Sequence, residues 1–453
     1  MIKRFTLRPL CHLMLIGGAF SLSTSAMASA FQLWEQDGAS VGDYHAGRAA
    51  EADDASTAYY NPAGIIRIKN QQFVASDVFV SSNIKYKGTV STNTYLSGAP
   101  QNVTAQAGAF SSLPDFHYVA PITNRLGFGL SVVAPFGLKT NYGRGTAIQY
   151  AATMTRLQVV DVSPALGFSI TPQISVGAGV DAQRMGGEFD QVGTIGPGTD
   201  SDGKSKGWDT AWGYHVGGLY QLRDTTRFGL TYNSQVVHHL RGNSYLVGPV
   251  AATANFIAGI PGNAIVSGNT NVHLTLPAFT TLSAYHELNQ RWAMMATAIY
   301  TQWSVFENLT LKNVAAANLG VVGGTVVPVP STNTTVNIPT HYRNTWNVSL
   351  GTEFHATDKV TLRSGIGYDQ SPVTNTYRNL QVPDNDRYAL AFGGHFQATK
   401  ALGFDLGWTH LFVFNRTVVN PPAQAVGAQV TTINGTVNTS ADVVGMQVTW
   451  NIA

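Results

Sequence analysis

Apolar and polar residues alternate one by one along most of the chain. In 402–414, Leu402, Phe404, Leu406, Trp408, Phe412 and Phe414 share one face, with Gly403, Asp405, Gly407 and Thr409 opposite. In 227–235, Phe228, Leu230 and Tyr232 oppose Gly229, Thr231, Asn233 and Gln235. A period of two marks a strand with one apolar face. With turn residues as boundaries, it predicts about fourteen strands. They lie near 72–90, 115–121, 126–137, 156–170, 174–188, 208–221, 226–239, 271–288, 292–311, 342–354, 360–369, 386–397, 402–414 and 442–452. Tight turns at 123–125, 171–173, 222–225, 289–291, 355–359 and 398–401 take turns with long connections at 91–114, 138–155, 189–207, 240–270, 312–341, 370–385 and 415–441. Strict alternation of short and long connections belongs to outer-membrane barrels. A soluble sandwich shares the strand pattern but has no reason to gather its long loops at one end.

Composition agrees. Charged residues make up 11% of the chain, against about 25% in soluble domains, and after residue 30 no apolar run approaches the ~18 residues of a membrane helix. The fold class is therefore all-β, a transmembrane antiparallel β-barrel of about 14 strands. Lys3, Arg4 and Arg8 precede an apolar run at 10–20 and two A-x-A sites ending at Ala28 and Ala30, which makes 1–30 a signal peptide. Cys11 is the one cysteine and precedes most of that run, so lipidation is not expected. A net charge of +2 without a basic run points away from nucleic acid.

The stretch 31–64 breaks the pattern. It carries Glu35, Asp37, Asp43, Glu51, Asp53 and Asp54 and is rich in Gly and Ala. Side chains can fill an eight-stranded barrel, but a lumen of about fourteen strands stays open. Residues 31–70 are therefore expected to fold back as a plug, with the barrel over 71–453. Pro62 forces Asn61 extended and closes the segment.

Phe31-Gln32-Leu33, the run Gly47-x-Ala49-x-x-Ala52-Asp53-Asp54-Ala55, and Asn61-Pro62-Ala63 resemble the hatch of the FadL/TodX outer-membrane channels for long-chain fatty acids and other hydrophobic compounds. LPDFHYVAPI at 113–122, PFGL at 135–138, Ser371-Pro372-Val373 and PDNDR at 383–387 extend the resemblance over nearly the whole mature chain. It implies passive uptake of long-chain fatty acids or similar molecules, gated by a hatch with Phe31, Leu33, Asn61, Pro62 and Ala63 in that role. An aromatic-hydrocarbon channel of the same family and a non-transport adhesin are the alternatives. Family members that carry fatty acids meet the carboxylate with basic residues in the lumen. Gln191 stands where one is expected, and 313–340 contains no Lys or Arg, which brings a neutral or aromatic substrate forward.

Ala134, Pro135, Phe136 and Gly137 interrupt a strand that otherwise continues from Leu126. Proline removes a ladder donor and glycine beside it marks a bend. From the residues alone, the run either ends the strand or opens the wall. The resemblance places it at the family's kinked third strand and so implies a lateral opening. The connection 240–270 is unusually apolar. Leu246, Val247, Phe256, Ile257 and Ile260 are expected either to form a ligand-capture groove or to pack as a short helix on neighbouring loops.

Other motifs carry less. Gly177-x-Gly179-x-x-Ala182 imitates a dinucleotide fingerprint but sits inside a strand. Asp53-Asp54 is expected to take backbone hydrogen bonds or pair with Arg48, and His238-His239, without a second ligand pair at metal spacing, is expected at a loop base. Trp212, Tyr214, Trp292, Tyr300 and Trp303 are expected in interfacial girdles. No catalytic or metal residue, cofactor or enzymatic activity is expected. The expected setting is the outer membrane of a Gram-negative bacterium, as a monomer among outer-membrane lipid and lipopolysaccharide, inserted by the barrel-assembly machinery.

Overall fold

The computed structural model describes residues 30–94, 99–415 and 417–452, so the expected signal peptide lies outside the described residues. Fourteen antiparallel strands close into one barrel. They are β1 (Gln71–Asn93), β2 (Phe110–Pro121), β3 (Leu126–Val133 continued by Gly137–Asn141), β4 (Met154–Ser169), β5 (Ile174–Gly193), β6 (Ser201–Arg223) and β7 (Thr226–Asn233 continued by Val236–Val247). Then follow β8 (Ala264–Leu276 continued by Phe279–Glu287), β9 (Trp292–Thr301 continued by Asn308–Val322) and β10 (Thr325–Pro339 continued by Thr345–Thr357). The last four are β11 (Val360–Asp369), β12 (Arg387–Gln397), β13 (Leu402–Phe412) and β14 (Gln429–Ile452). Each pairs with its sequence neighbours, and the ladder from Gln71↔Ile452 to Asn93↔Val430 closes β1 on β14. Closure leaves no free edge. Backbone polar groups then pair from strand to strand around the wall, as lipid requires.

The barrel is apolar outside and polar inside. Leu406 is 57% and Trp212 70% exposed on the outer face, while Asp405, Thr409 and Asp181 point inward and are buried. The alternation read in 402–414 is thus the lipid face against the lumen face.

Two expectations about the connections need correction. The stretches read as long loops at 189–207 and 312–341 are largely strand, and 240–270 is strand at both ends with a helix between, because the hairpins continue beyond the membrane. At the tip of the β9–β10 hairpin, Gly323 and Gly324 adopt φ of 58° and 83°. Two consecutive positive φ angles make the tight hairpin turn that glycine allows. His238-His239 likewise lies within β7 rather than at a loop base.

Residues 30–70 occupy the lumen. They form the short helices α1 (Arg48–Glu51) and α2 (Thr57–Tyr60) and two 3-10 turns, Ser40–Gly42 and Pro62–Arg67. Short helices are marginal alone, so the wall must hold them. It does so through bare backbone. A Cβ on Gly393 would meet Gly42 Cα at 2.6 Å, one on Gly407 would meet Gly42 N at 2.6 Å, and one on Gly351 would meet Ala46 Cβ at 2.7 Å. Inward glycines on Gly229, Gly365 and Gly177 similarly leave room for Ala49, Asp43 and Pro62.

Candidate functional site

The site begins where β3 is cut. Residues 134–136 leave the ladder, and the N-terminal segment fills the gap. Leu33 N donates to Pro135 O at 2.9 Å and Gly137 N donates to Phe31 O at 2.8 Å. Gln36 Oε1 accepts from Ala134 N at 3.0 Å, and Gln36 Nε2 donates to Ala134 O at 3.2 Å. On the other side Val159 N donates to Phe136 O at 3.0 Å. The backbone groups that proline would leave unpaired are satisfied by the lumen segment, so the interruption survives within the membrane.

Phe31 anchors this contact. Its ring lies 4.7 Å from Trp303 and 5.5 Å from Phe306, both edge-on, and 6.1 Å from Phe136. Tyr342 closes the cage, 5.0 Å from Phe306. Trp303 is fully buried here, which corrects its assignment to a girdle. β9 is interrupted by a 3-10 turn at Trp303–Val305. The girdle expectation rested on residue type: Trp292 and Met294 face outward at even positions, and Trp303 falls at an odd one. Trp212, Tyr214 and Trp292 do face outward.

From the cage an apolar column runs through Val159, Met185, Leu240, Leu274 and Leu276 to Leu311, Val314 and Val336. The last three also line a cavity beneath the outer hairpins, together with Phe189, Leu246, Val250 and Val426. The column therefore joins the outer cavity to the break in β3. Among the described residues one basic side chain lines the cavity, Lys204, and it is engaged. Its Nζ lies 2.5 Å from Glu188 and 3.0 Å from Asp190. Gln191 also lines the cavity, beside Gln424 at 3.4 Å.

The apolar connection at 240–270 forms a short helix packed on neighbouring strands, with part of the connection turned to the cavity. Its helix α3 (Pro249–Ile257) packs Val250, Ala251 and Ala254 against Ile195, Leu246, Ile265, Ala315 and Ala317. Leu246 and Val250 reach the cavity. Val247, Phe256, Ile257 and Ile260 do not line it, and Phe256 is 84% and Ile260 49% exposed on the far side. A nine-residue helix has one inward stripe, and the sequence pattern did not show which stripe faced the lumen. The cavity's own wall from β9 and β10 escaped notice because 312–341 was expected to be loop.

Asn61, Pro62 and Ala63 fasten the other end of the segment. Asn61 Nδ2 donates to Ala49 O at 2.6 Å and Gly218 O at 3.1 Å, and its Oδ1 accepts from Ala63 N at 3.0 Å. Pro62 opens the 3-10 turn, where its missing N–H is no loss. Ser175 Oγ donates to Ala63 O at 2.8 Å. From β7, Arg227 donates to the carbonyls of Ala50 and Glu51, at 3.1 and 3.0 Å, capping α1.

Between these ends lies a buried charge network. Arg48 faces Glu51 at 3.3 Å, Asp53 at 3.5 Å and Asp37 at 3.7 Å, while Arg363 of β11 holds Asp405, Glu353 and Asp53. Asp54 accepts from Ser56 N at 2.9 Å and from Gln447 Nε2 at 2.8 Å. The Asp53-Asp54 pair thus makes the structural contacts expected of it. Burial pushes the Asp43 carboxyl up to about 7 despite the nearby Arg48 and Arg363. Burial likewise raises Asp54 to about 6 and lowers His45 to about 4.

A family described as "Outer membrane protein transport protein (OMPP1/FadL/TodX)" matches residues 19–452. The long-chain fatty acid transport protein of Salmonella typhi is 28% identical over 411 residues, 86% of this chain and 89% of its own. Outer membrane protein P1 of Haemophilus influenzae is 27% identical, with 90% of each chain covered. The crystal structure of a Pseudomonas aeruginosa FadL homologue superposes with a TM-score of 0.80 at 25% identity, covering 93% of this chain and all of the other. The Pseudomonas putida toluene transporter TodX shares the fold, with a TM-score of 0.63 at 18% identity over 94% of this chain.

Proposed function

We propose, for a chain that belongs to the outer membrane protein transport family (OMPP1/FadL/TodX), the passive uptake of long-chain fatty acids or other hydrophobic molecules across the outer membrane. The apolar column from the outer cavity to the break in β3 carries this reading. A hydrophobic ligand moving along it stays out of water at every step. Residues 31–70 act as the hatch. The ligand reaches Phe31 and competes for its aromatic cage. When the hatch gives way, the break at Ala134–Gly137 is left unpatched and becomes the lateral exit into the membrane. Such coupling follows if ligand binds better to the displaced state.

A second reading concerns the ligand's head. A carboxylate entering the cavity finds Lys204 already neutralised by Glu188 and Asp190, and an unpaired buried charge is strongly disfavoured. That observation favours neutral and aromatic molecules over free fatty acids. Uptake of labelled oleate against labelled toluene, in cells lacking their own channels, decides between them. Oleate alone supports the fatty-acid reading, toluene alone the aromatic one, and neither would refute transport. The barrel is proposed to work as a monomer, inserted by the barrel-assembly machinery and surrounded by lipopolysaccharide.

A further inference from the structure

We propose that the outward face of β5–β8 around Trp208 binds the phosphates of lipid A, the diphosphorylated glycolipid of the outer leaflet. The inference rests on the outer-membrane setting and is independent of what the lumen carries.

On β6 the outward side chains Tyr220, Val216, Tyr214, Trp212 and Trp208 are all exposed. From Tyr220 to Trp208 the strand climbs roughly 28 Å, at ~3.3 Å per residue and ~45° of tilt. That is about the height of the apolar band, so Trp208 marks its outer edge. The chemistry changes there. Arg184 of β5 pairs in register with Thr210 of β6, and Arg241 of β7 with Trp208. His239 of β7 pairs with His273 of β8, their Nδ1 atoms 3.0 Å apart. Arg184, Trp208, Thr210, His239 and Arg241 line one shallow depression. These four strands span about 14 Å at ~4.8 Å spacing.

The arginines lack counter-ions. Arg184 donates to Thr210 Oγ1 at 3.2 Å, and among the described residues no ion pair joins Arg184 or Arg241 to a carboxylate. The one carboxylate in the depression, Asp209, accepts from His239 N at 2.9 Å and lies 3.3 Å from the buried His238. It is therefore turned towards the wall. Two unpaired guanidinium groups at the edge of an apolar band need an anion. The anion present at that depth is phosphate, and the planar guanidinium suits it. Trp212 below the arginines and Trp208 beside them offer an apolar seat for the acyl chains.

The test uses the full barrel and Arg184→Gln/Arg241→Gln, both purified from outer membranes, with heat-modifiable gel mobility reporting folding. Co-purifying lipid A is measured by its hydroxylated fatty acids. Thermal unfolding is followed with diphosphoryl lipid A, dephosphorylated lipid A or phosphatidylglycerol. The double variant should retain about tenfold less lipid A, as expected for losing charge-assisted contacts. Diphosphoryl lipid A should raise the unfolding temperature of the parent and leave the variant unmoved. If the double variant does not fold, the single variants are compared instead, and each should show part of the loss. Lys359→Gln, at the opposite end of the barrel, should match the parent. Equal retention by parent and variant overturns the proposal, and so does an equal response to dephosphorylated lipid A or phosphatidylglycerol.

Discussion

Phe31 is one residue on which the lumen segment, the aromatic cage and the interrupted strand all converge. Truncating a buried phenylalanine costs about 3–5 kcal/mol, here charged to a short tether rather than to the whole barrel. Phe31→Ala should leave the barrel folded and loosen residues 30–36, seen as faster amide exchange at Leu33 and Gln36. Asp43 makes a second residue-scale prediction. Its carboxylate oxygens are buried without hydrogen-bond partners, and burial holds it up at about 7, against about 3.9 when solvated. An acid with a raised pKa in the seated state binds its proton more tightly there, so its contribution is complete below pH ~4 and is lost as pH rises towards 7. Asp54, raised to about 6, acts in the same direction. His45, lowered to about 4, acts oppositely between pH ~6.5 and 4. Two carboxyls outweigh one imidazole, so the segment's protection against exchange, taken relative to the free-peptide rate at each pH, should be lower at pH 7.5 than at pH 5. Asp43→Asn should flatten that dependence. An unchanged profile would remove Asp43 as its source.

At the scale of the element, the break in β3 was legible in Pro135 and Gly137, because proline cannot donate to a ladder and a closed barrel has no edge to hide it. What the residues could not show was its partner, since the bonds from Phe31 and Leu33 cross about a hundred positions of sequence. The outer hairpins were legible only in part. Val321-Val322-Gly323-Gly324-Thr325-Val326 carries a two-residue turn between β-branched residues, yet the polar, charge-poor flanks read as loop. The same gap hid the cavity wall. Two variants separate the faces of the 240–270 hairpin. Leu246→Asp, which puts a charge against the cavity, should slow hydrophobic uptake several-fold, while Phe256→Asp should leave it within twofold, since that ring touches neither cavity nor column. Gly137→Arg tests the exit. It should fold and still bind labelled ligand but lose uptake, and parental uptake in a folded Gly137→Arg protein would favour passage down the barrel axis.

For the whole molecule, strand number and wall polarity followed from period-two alternation, the charge content and the alternation of short and long connections. Fourteen strands enclose more space than side chains can fill, and the structure places residues 30–70 there. The match is made by small residues on both surfaces, Gly42 against Gly393 and Gly407, Ala46 against Gly351. Close backbone approach is joined there by apolar packing, of Val41 and Tyr44 in one cluster and Ile65 in another, and by the Arg48, Arg363 and Arg227 contacts. A seat of that kind can release its occupant without disturbing the wall. The prediction is that wall and occupant are separable. Gly365→Val places branched carbons where the Asp43 backbone lies, and its outer face is untouched. The barrel should insert with its usual heat-modifiable mobility, but the lumen segment should fail to seat, and ion conductance in planar bilayers should rise. Deletion of residues 31–60 sets the upper limit for that rise. A folded Gly365→Val barrel that conducts like the parent would mean that the segment seats by other contacts. A folded deletion that also conducts like the parent would mean that it never closed the lumen.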